Sequence, residues 1–108
     1  MKTYAVVFAP EAEDDLIDLY RYIAEHGSPA VAAKYTDAIV DYCETLATVP
    51  HRGRLRDDIR PGLRITNYKR RAVIAFVVDD HTNTVSILGV YYGGKSYEAE
   101  LGEHEDDQ

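Results

Sequence analysis

Residues 72–92, AVIAFVVDDHTNTVSILGVYY, decide the fold. Ala72–Val78 is an unbroken apolar run, the most apolar of the chain's strands, as expected of a central strand. Asp79–Asn83 is a polar turn, and Thr84–Tyr92 is a second strand, so the two form an antiparallel hairpin. Simple alternation puts Val85, Ile87, Gly89 and Tyr91 on one face of the returning strand. Ser86, Leu88, Val90 and Tyr92 fall on the other. Gly93-Gly94 ends it.

The segment feeding this hairpin, His51–Arg71 (HRGRLRDDIRPGLRITNYKRR), holds eight of the twelve Lys and Arg residues but only two of the nineteen Asp and Glu. Its local charge is +6 in a chain of net charge −7. Gly53, Pro61 and Gly62 make its first half a loop, and Leu63–Asn67 reads as a short strand with Leu63 and Ile65 on one face.

Further back, Thr3–Ala9 reads as a strand. Both its faces are apolar, so it is expected to be well buried. Pro10 then opens a helix, with Glu11, Glu13, Asp14 and Asp15 at the positive end of its dipole. Ala12, Leu16, Leu19, Tyr20 and Ile23 form its apolar stripe, and Gly27 stops it. Ser28 and Pro29 cap and start a second helix, whose stripe is Ala32, Tyr35, Ile39, Tyr42 and Leu46. It should end near Thr48, ahead of Pro50. The short joint predicts an antiparallel helical hairpin. The order is therefore β-α-α-β-β-β, an α+β fold with an antiparallel sheet and the helical hairpin packed on one face. Lys95–Leu101 reads as a helical turn. Residues 1–101 are expected to form a single domain, and 102–108 an acidic disordered tail.

With 108 residues the chain has the size of one domain. No stretch approaches the ~20 apolar residues of a membrane span, and no signal peptide is evident. A single cysteine, Cys43, rules out an internal disulfide, and the protein is read as cytoplasmic. Cys43 and the histidines His26, His81 and His104 do not take metal-ligand spacing. No metal and no cofactor is expected.

Taken in order, FAPEAEDDLIDLYRYIAEHGSP, YTDAIVDYCETLATVPHRGRLRDDIRPGLR and YKRRAVIAFVVDDHTNTVSILGVYYG resemble the ParE branch of the RelE/ParE toxins of bacterial type II toxin–antitoxin systems. The likeness runs from about Tyr4 to Leu101. It implies the fold derived above. It also implies a ParD-like antitoxin with a DNA-binding domain and a C-terminal segment that wraps the toxin in a hetero-oligomer. For the ParE branch it implies inhibition of DNA gyrase and a block of replication. The RelE branch instead cleaves mRNA on the ribosome, and a non-toxic binding module of the same fold is a third possibility. This chain departs from the ParE pattern at Gly89, where a basic residue is common, and near Tyr92, where a His is common.

The candidate partner-binding set is Arg52, Arg54, Arg56, Arg60, Arg64, Lys69, Arg70 and Arg71, with Tyr92 and Lys95. Arginine suits bidentate contact with carboxylates or phosphates, so the set is read as receiving an acidic antitoxin segment, and a target while the chain is free. The competing reading is a solvated face paired with Asp57 and Asp58. For RNA cleavage, His51, Tyr91, Tyr92 and Lys95 are the available acid–base parts. A Tyr or Lys base needs a strongly lowered pKa, which no sequence feature supplies, so no catalytic residue is assigned.

Overall fold

The structure, a computed structural model, describes residues 2–102. Its elements are β1 (Ala5–Phe8), α1 (Pro10–His26), α2 (Pro29–Glu44), a 3-10 turn (Thr45–Ala47), β2 (Arg54–Leu55), β3 (Arg64–Tyr68), β4 (Ala72–Asp79), β5 (Thr84–Tyr92) and α3 (Tyr97–Gly102). The strands form one sheet in the order β1-β5-β4-β3-β2, so β4 is central. β2 to β5 pair antiparallel, and β1 lies parallel to β5 at the edge.

The helix boundaries follow the local chemistry. Pro10 occupies the first turn of α1, where its missing N–H is not needed, and Glu11 and Glu13 lie in that turn. The Ser28 hydroxyl accepts the Val31 N–H at 3.1 Å and caps α2. α1 packs on α2 and on β5, which sets the helical hairpin on one face of the sheet. Leu19, Ile39, Leu46, Ile74, Phe76, Val85, Ile87 and Val90 fill the space between them. Burying a side chain such as Phe76 or Ile74 contributes about 1.5–3 kcal/mol.

Four expectations change. β1 is not buried on both faces: Val6 and Phe8 pack on the core, but Ala5 and Val7 face outward and Val7 is 47% exposed. An edge strand under the hairpin needs one apolar face only. Tyr20 lies on the exposed side of α1 rather than in the stripe. The basic loop contains a further two-residue strand, β2, placed by backbone pairing with β3. Gly53 permits this. Its φ is +80°, and a β-carbon there would collide with the Ile65 carbonyl.

The fourth change is in β5. Ala75 pairs with Gly89 but Phe76 pairs with Ile87, so Leu88 is an extra, bulged residue. The alternation resets there. Val85 and Ile87 share the helix-facing side with Val90 and Tyr92, while Leu88 and Tyr91 turn to the opposite side. On that second face Tyr91 joins Ile59, Leu63, Ile65, Ala75 and Leu101 in a smaller cluster, which α3 and the β2–β3 loop cover. Of the acidic tail expected over 102–108, Gly102 closes α3. Residues 103–108 lie outside the described chain.

Candidate partner-binding surface

The structure divides the basic residues into two groups. Arg52, Arg56, Arg60 and Arg64 are engaged within the fold. Arg64 donates to the carbonyls of His51 (2.8 Å) and Arg52 (3.4 Å), which shapes the loop leaving the 3-10 turn. Arg52 donates to the Thr45 hydroxyl at 2.9 Å and lies 5.1 Å over the Tyr42 ring. Arg60 donates to the Leu101 carbonyl at 3.3 Å.

Arg56 is the most committed. It holds Asp58 through two bonds of 2.9 and 2.8 Å, the Tyr97 hydroxyl at 2.7 Å and Glu98 at 3.0 Å. The two carboxylates push its pKa up, and its guanidinium draws Asp58 below the usual carboxylate range. Asp58 thus plays the pairing role weighed for it. Asp57 instead accepts the Gly62 N–H at 2.7 Å and closes the loop turn. Among the described residues, the one side-chain hydrogen bond of Arg54 on β2 is a 3.4 Å contact with the Tyr97 hydroxyl.

The second group lies at the other end of β3 and β4. Tyr68 and Ala72 pair across the turn Lys69-Arg70-Arg71, which requires Lys69 to adopt φ 55°. All three cations are exposed, and among the described residues none makes a salt bridge. Lys69 rests 5.6 Å from the Tyr68 ring. Tyr68 belongs to an aromatic cluster with Tyr35, Tyr42 and Tyr92, with ring centroids 5.2–6.1 Å apart. The Tyr35 hydroxyl is buried there and has no hydrogen-bond partner among the described residues, and burial pushes its pKa up.

Arg71 and Lys95 border a groove of about 370 Å³ between α1 and the end of β5. Tyr22 and Tyr92 line it, and Asp15 and Asp18 supply carboxylates. The bulge explains part of this arrangement. Asp15 accepts the Val90 N–H at 3.0 Å, binding α1 to β5 just past the extra residue. Its burial raises its pKa, partly offset by that hydrogen bond and by Lys95. Asp15, Asp18 and Tyr22 were absent from the sequence-derived set. Asp15 read there as one of several acids at a helix start, and only the bulge gives it a specific partner.

The four acid–base parts are not brought together. His51 pairs with Asp80 at the β4–β5 turn, whereas Lys95 follows the far end of β5. Eight β4 residues separate these ends, or about 25 Å at ~3.3 Å per residue. Tyr91 is buried under α3, and that burial pushes its hydroxyl up to about 12, away from a base poised for neutral pH. Among the described residues no group of three His, Cys, Asp or Glu is placed to hold a metal ion, and no helix is long and apolar enough to cross a membrane.

The architecture recurs in solved structures of toxins. A chain of the chromosomal ParDE toxin–antitoxin system from P. aeruginosa superposes with a TM-score of 0.72 at 23% identity, over 83% of this chain and 96% of that one. A chain of the RelBE2 toxin–antitoxin complex from Mycobacterium tuberculosis gives 0.63 at 25% identity, over 88% and 97%. A mutant of E. coli toxin RelE in the free state gives 0.59 at 16% identity, over 96% and 98%. The fold is therefore that of the RelE/ParE-like toxins. Residues 6–97 match the family described as ParE toxin of type II toxin-antitoxin system, parDE, and the chain belongs to that family. It is a toxin of a type II toxin–antitoxin system. No curated protein sequence matches it.

Proposed function

We propose that this chain acts in the cytoplasm by binding and catalyses no reaction: free, it inhibits DNA gyrase and blocks replication, and a ParD-like antitoxin neutralises it by tight association. The observation that carries the reading is the exposed cationic end of the sheet, Lys69, Arg70, Arg71 and Lys95, beside the Tyr92 aromatic cluster. Cations next to aromatic rings suit a protein segment that presents carboxylates and apolar groups together. The separation of His51 from Lys95, and the raised pKa of Tyr91, favour binding over RNA cleavage. The antitoxin's C-terminal segment is assigned to this end of the sheet, with its carboxylates meeting Arg71 and Lys95.

Expression of the chain alone should stop growth and leave DNA damage, and the purified chain should inhibit gyrase supercoiling. Co-expression with its antitoxin should abolish both effects. Growth arrest with active gyrase and rapid mRNA cleavage within ribosomal reading frames would replace this reading with the RelE-type one. Unimpeded growth without antitoxin would make the chain a binding module only.

A further inference from the structure

A second cavity, of about 440 Å³, opens between the start of α1, the bulge of β5 and Arg60. That is the size of a small-ligand site. Its walls carry four carboxylates, Glu11, Asp14, Asp15 and Glu100, against one cation, Arg60. Asp15 is already committed to the Val90 N–H, and Arg60 to the Leu101 carbonyl. Glu11, Asp14 and Glu100 make no salt bridge among the described residues. Pro10 starts α1, so Glu11 and Asp14 stand three residues apart on one helix face. Acids at a helix start have an ordinary explanation in the helix dipole. The Tyr91 hydroxyl has none. The bulge turns Tyr91 to this side, where it lines the cavity and is 4% exposed. Its ring folds back over Gly89, and a β-carbon on residue 89 would lie 2.5 Å from the hydroxyl oxygen. Among the described residues that hydroxyl makes no hydrogen bond. Burial, then the carboxylates of Glu100 and Asp15, push it up to about 12, so it stays protonated. A buried hydroxyl without a partner is costly, and this one faces a cavity.

We propose that this cavity is a binding site for a guanidinium group, met by the charges of Glu11, Asp14 and Glu100 and by the Tyr91 hydroxyl oxygen, which accepts one of its N–H bonds. The placement of the acceptors decides the class of ligand. The charge balance of four to one disfavours an anion. Among the described residues no three carboxylates converge as a metal ion requires, so a compact divalent cation does not fit. A guanidinium spreads five N–H donors over a planar fork and can reach separated acceptors. Leu88, Leu101 and the Tyr91 ring add an apolar wall, which suits this weakly hydrated, stacking cation better than an ammonium ion. Two sources share the chemistry: an arginine side chain of a protein, and a free guanidino compound. The inference does not rest on the proposed function.

The test titrates the full chain with a blocked tripeptide carrying arginine at its centre, with its lysine counterpart and with propylguanidine, and follows methyl and ring resonances by NMR. Both guanidino probes should shift Leu88 and Tyr91 saturably, with millimolar Kd. Glu11→Gln with Asp14→Asn, both exposed on α1, should weaken the arginine tripeptide about fivefold, the scale of two rim charges. Tyr91→Phe keeps the ring and should weaken it about tenfold, as for a hydrogen bond to a charged group. Tighter binding of the arginine tripeptide than of propylguanidine assigns the site to an arginine side chain of a protein, and the reverse order assigns it to a free guanidino compound. No saturable shift from either guanidino probe, shifts centred on Tyr22 in the groove that shares Asp15, equal binding of the lysine tripeptide, or unchanged binding by either variant would overturn the inference. The titration contains neither antitoxin nor gyrase. Unimpeded growth on expression would therefore refute the toxin reading without touching this result.

Discussion

Asp15 offers the most direct test of how the site is built. Its carboxylate crosses from α1 to accept the Val90 N–H, immediately after the bulge at Leu88. Val90 is 3% exposed, so no water replaces that acceptor freely. Asp15→Ala leaves a buried N–H unsatisfied, a loss of about 1–3 kcal/mol. In a domain of this size that lowers Tm by roughly 4–8 °C per kcal/mol. Asp15→Asn keeps an oxygen at the same place and removes the charge whose burial raises the Asp15 pKa. It should stay near wild-type stability at neutral pH, or exceed it. The pH dependence has a definite sign. A carboxyl group whose folded pKa is raised contributes stability that is fully present below its unfolded value near 4 and is lost as pH rises through the folded value. The wild type should therefore gain on Asp15→Asn as pH falls toward 4. Urea denaturation of the three proteins at pH 7 and pH 4 measures this. Equal loss in the Ala and Asn variants, or none in either, would show that the hydrogen bond across the bulge does not matter.

Gly53→Ala should cost about 1–3 kcal/mol, because residue 53 needs a positive φ and a β-carbon meets the Ile65 carbonyl; urea unfolding reads the loss, and a silent substitution would remove the stated reason for β2 pairing. Asp80 is held below the usual carboxylate range by the Tyr4 hydroxyl at 2.6 Å, then by His51. Its contribution is present above its unfolded pKa and lost as pH falls through the lowered folded value, so Asp80→Asn should flatten the acid limb of the stability profile, measured by thermal melts below pH 5. Replacing Lys69, Arg70 and Arg71 with Glu should leave folding intact and weaken antitoxin binding, mostly through a slower association rate and a smaller salt dependence in surface plasmon resonance. Salt-independent binding by the unaltered chain would assign the antitoxin to another surface.

The sequence made the sheet and the helical hairpin legible because their signals are local. The apolar run of β4, the polar turn after it, and the Ser28-Pro29 joint each carry their own geometry in a few residues. What alternation missed is the bulge, since one inserted residue leaves no compositional mark: Leu88 fits either face equally well. Without it, Tyr91 and Tyr92 exchange sides, and the second cluster under α3 has no aromatic centre. The basic stretch was legible as charge but not as arrangement. Arg56 and Arg71 look equivalent in sequence. One meets Tyr97 and Glu98 from a segment about forty residues away, and the other sits in a tight turn facing solvent. Only long-range pairing separates them.

That separation bears on what kind of partner the exposed end of the sheet can accept. A nucleic-acid surface neutralises successive phosphates and needs cations without carboxylates between them. Here Arg71 and Lys95 share one groove with Asp15 and Asp18. A phosphate chain lying in it would gain two cations and meet two like charges at the same distance scale, in a chain whose net charge of −7 repels it further. A polypeptide has no such conflict. It can set an acidic side chain against Arg71 and Lys95, a donor against Asp18, and an apolar group against Tyr22 and Tyr92 within a few residues. On the proposed reading, the mixed charge of the groove would favour a protein segment, by penalising the polyanion as much as by attracting the peptide.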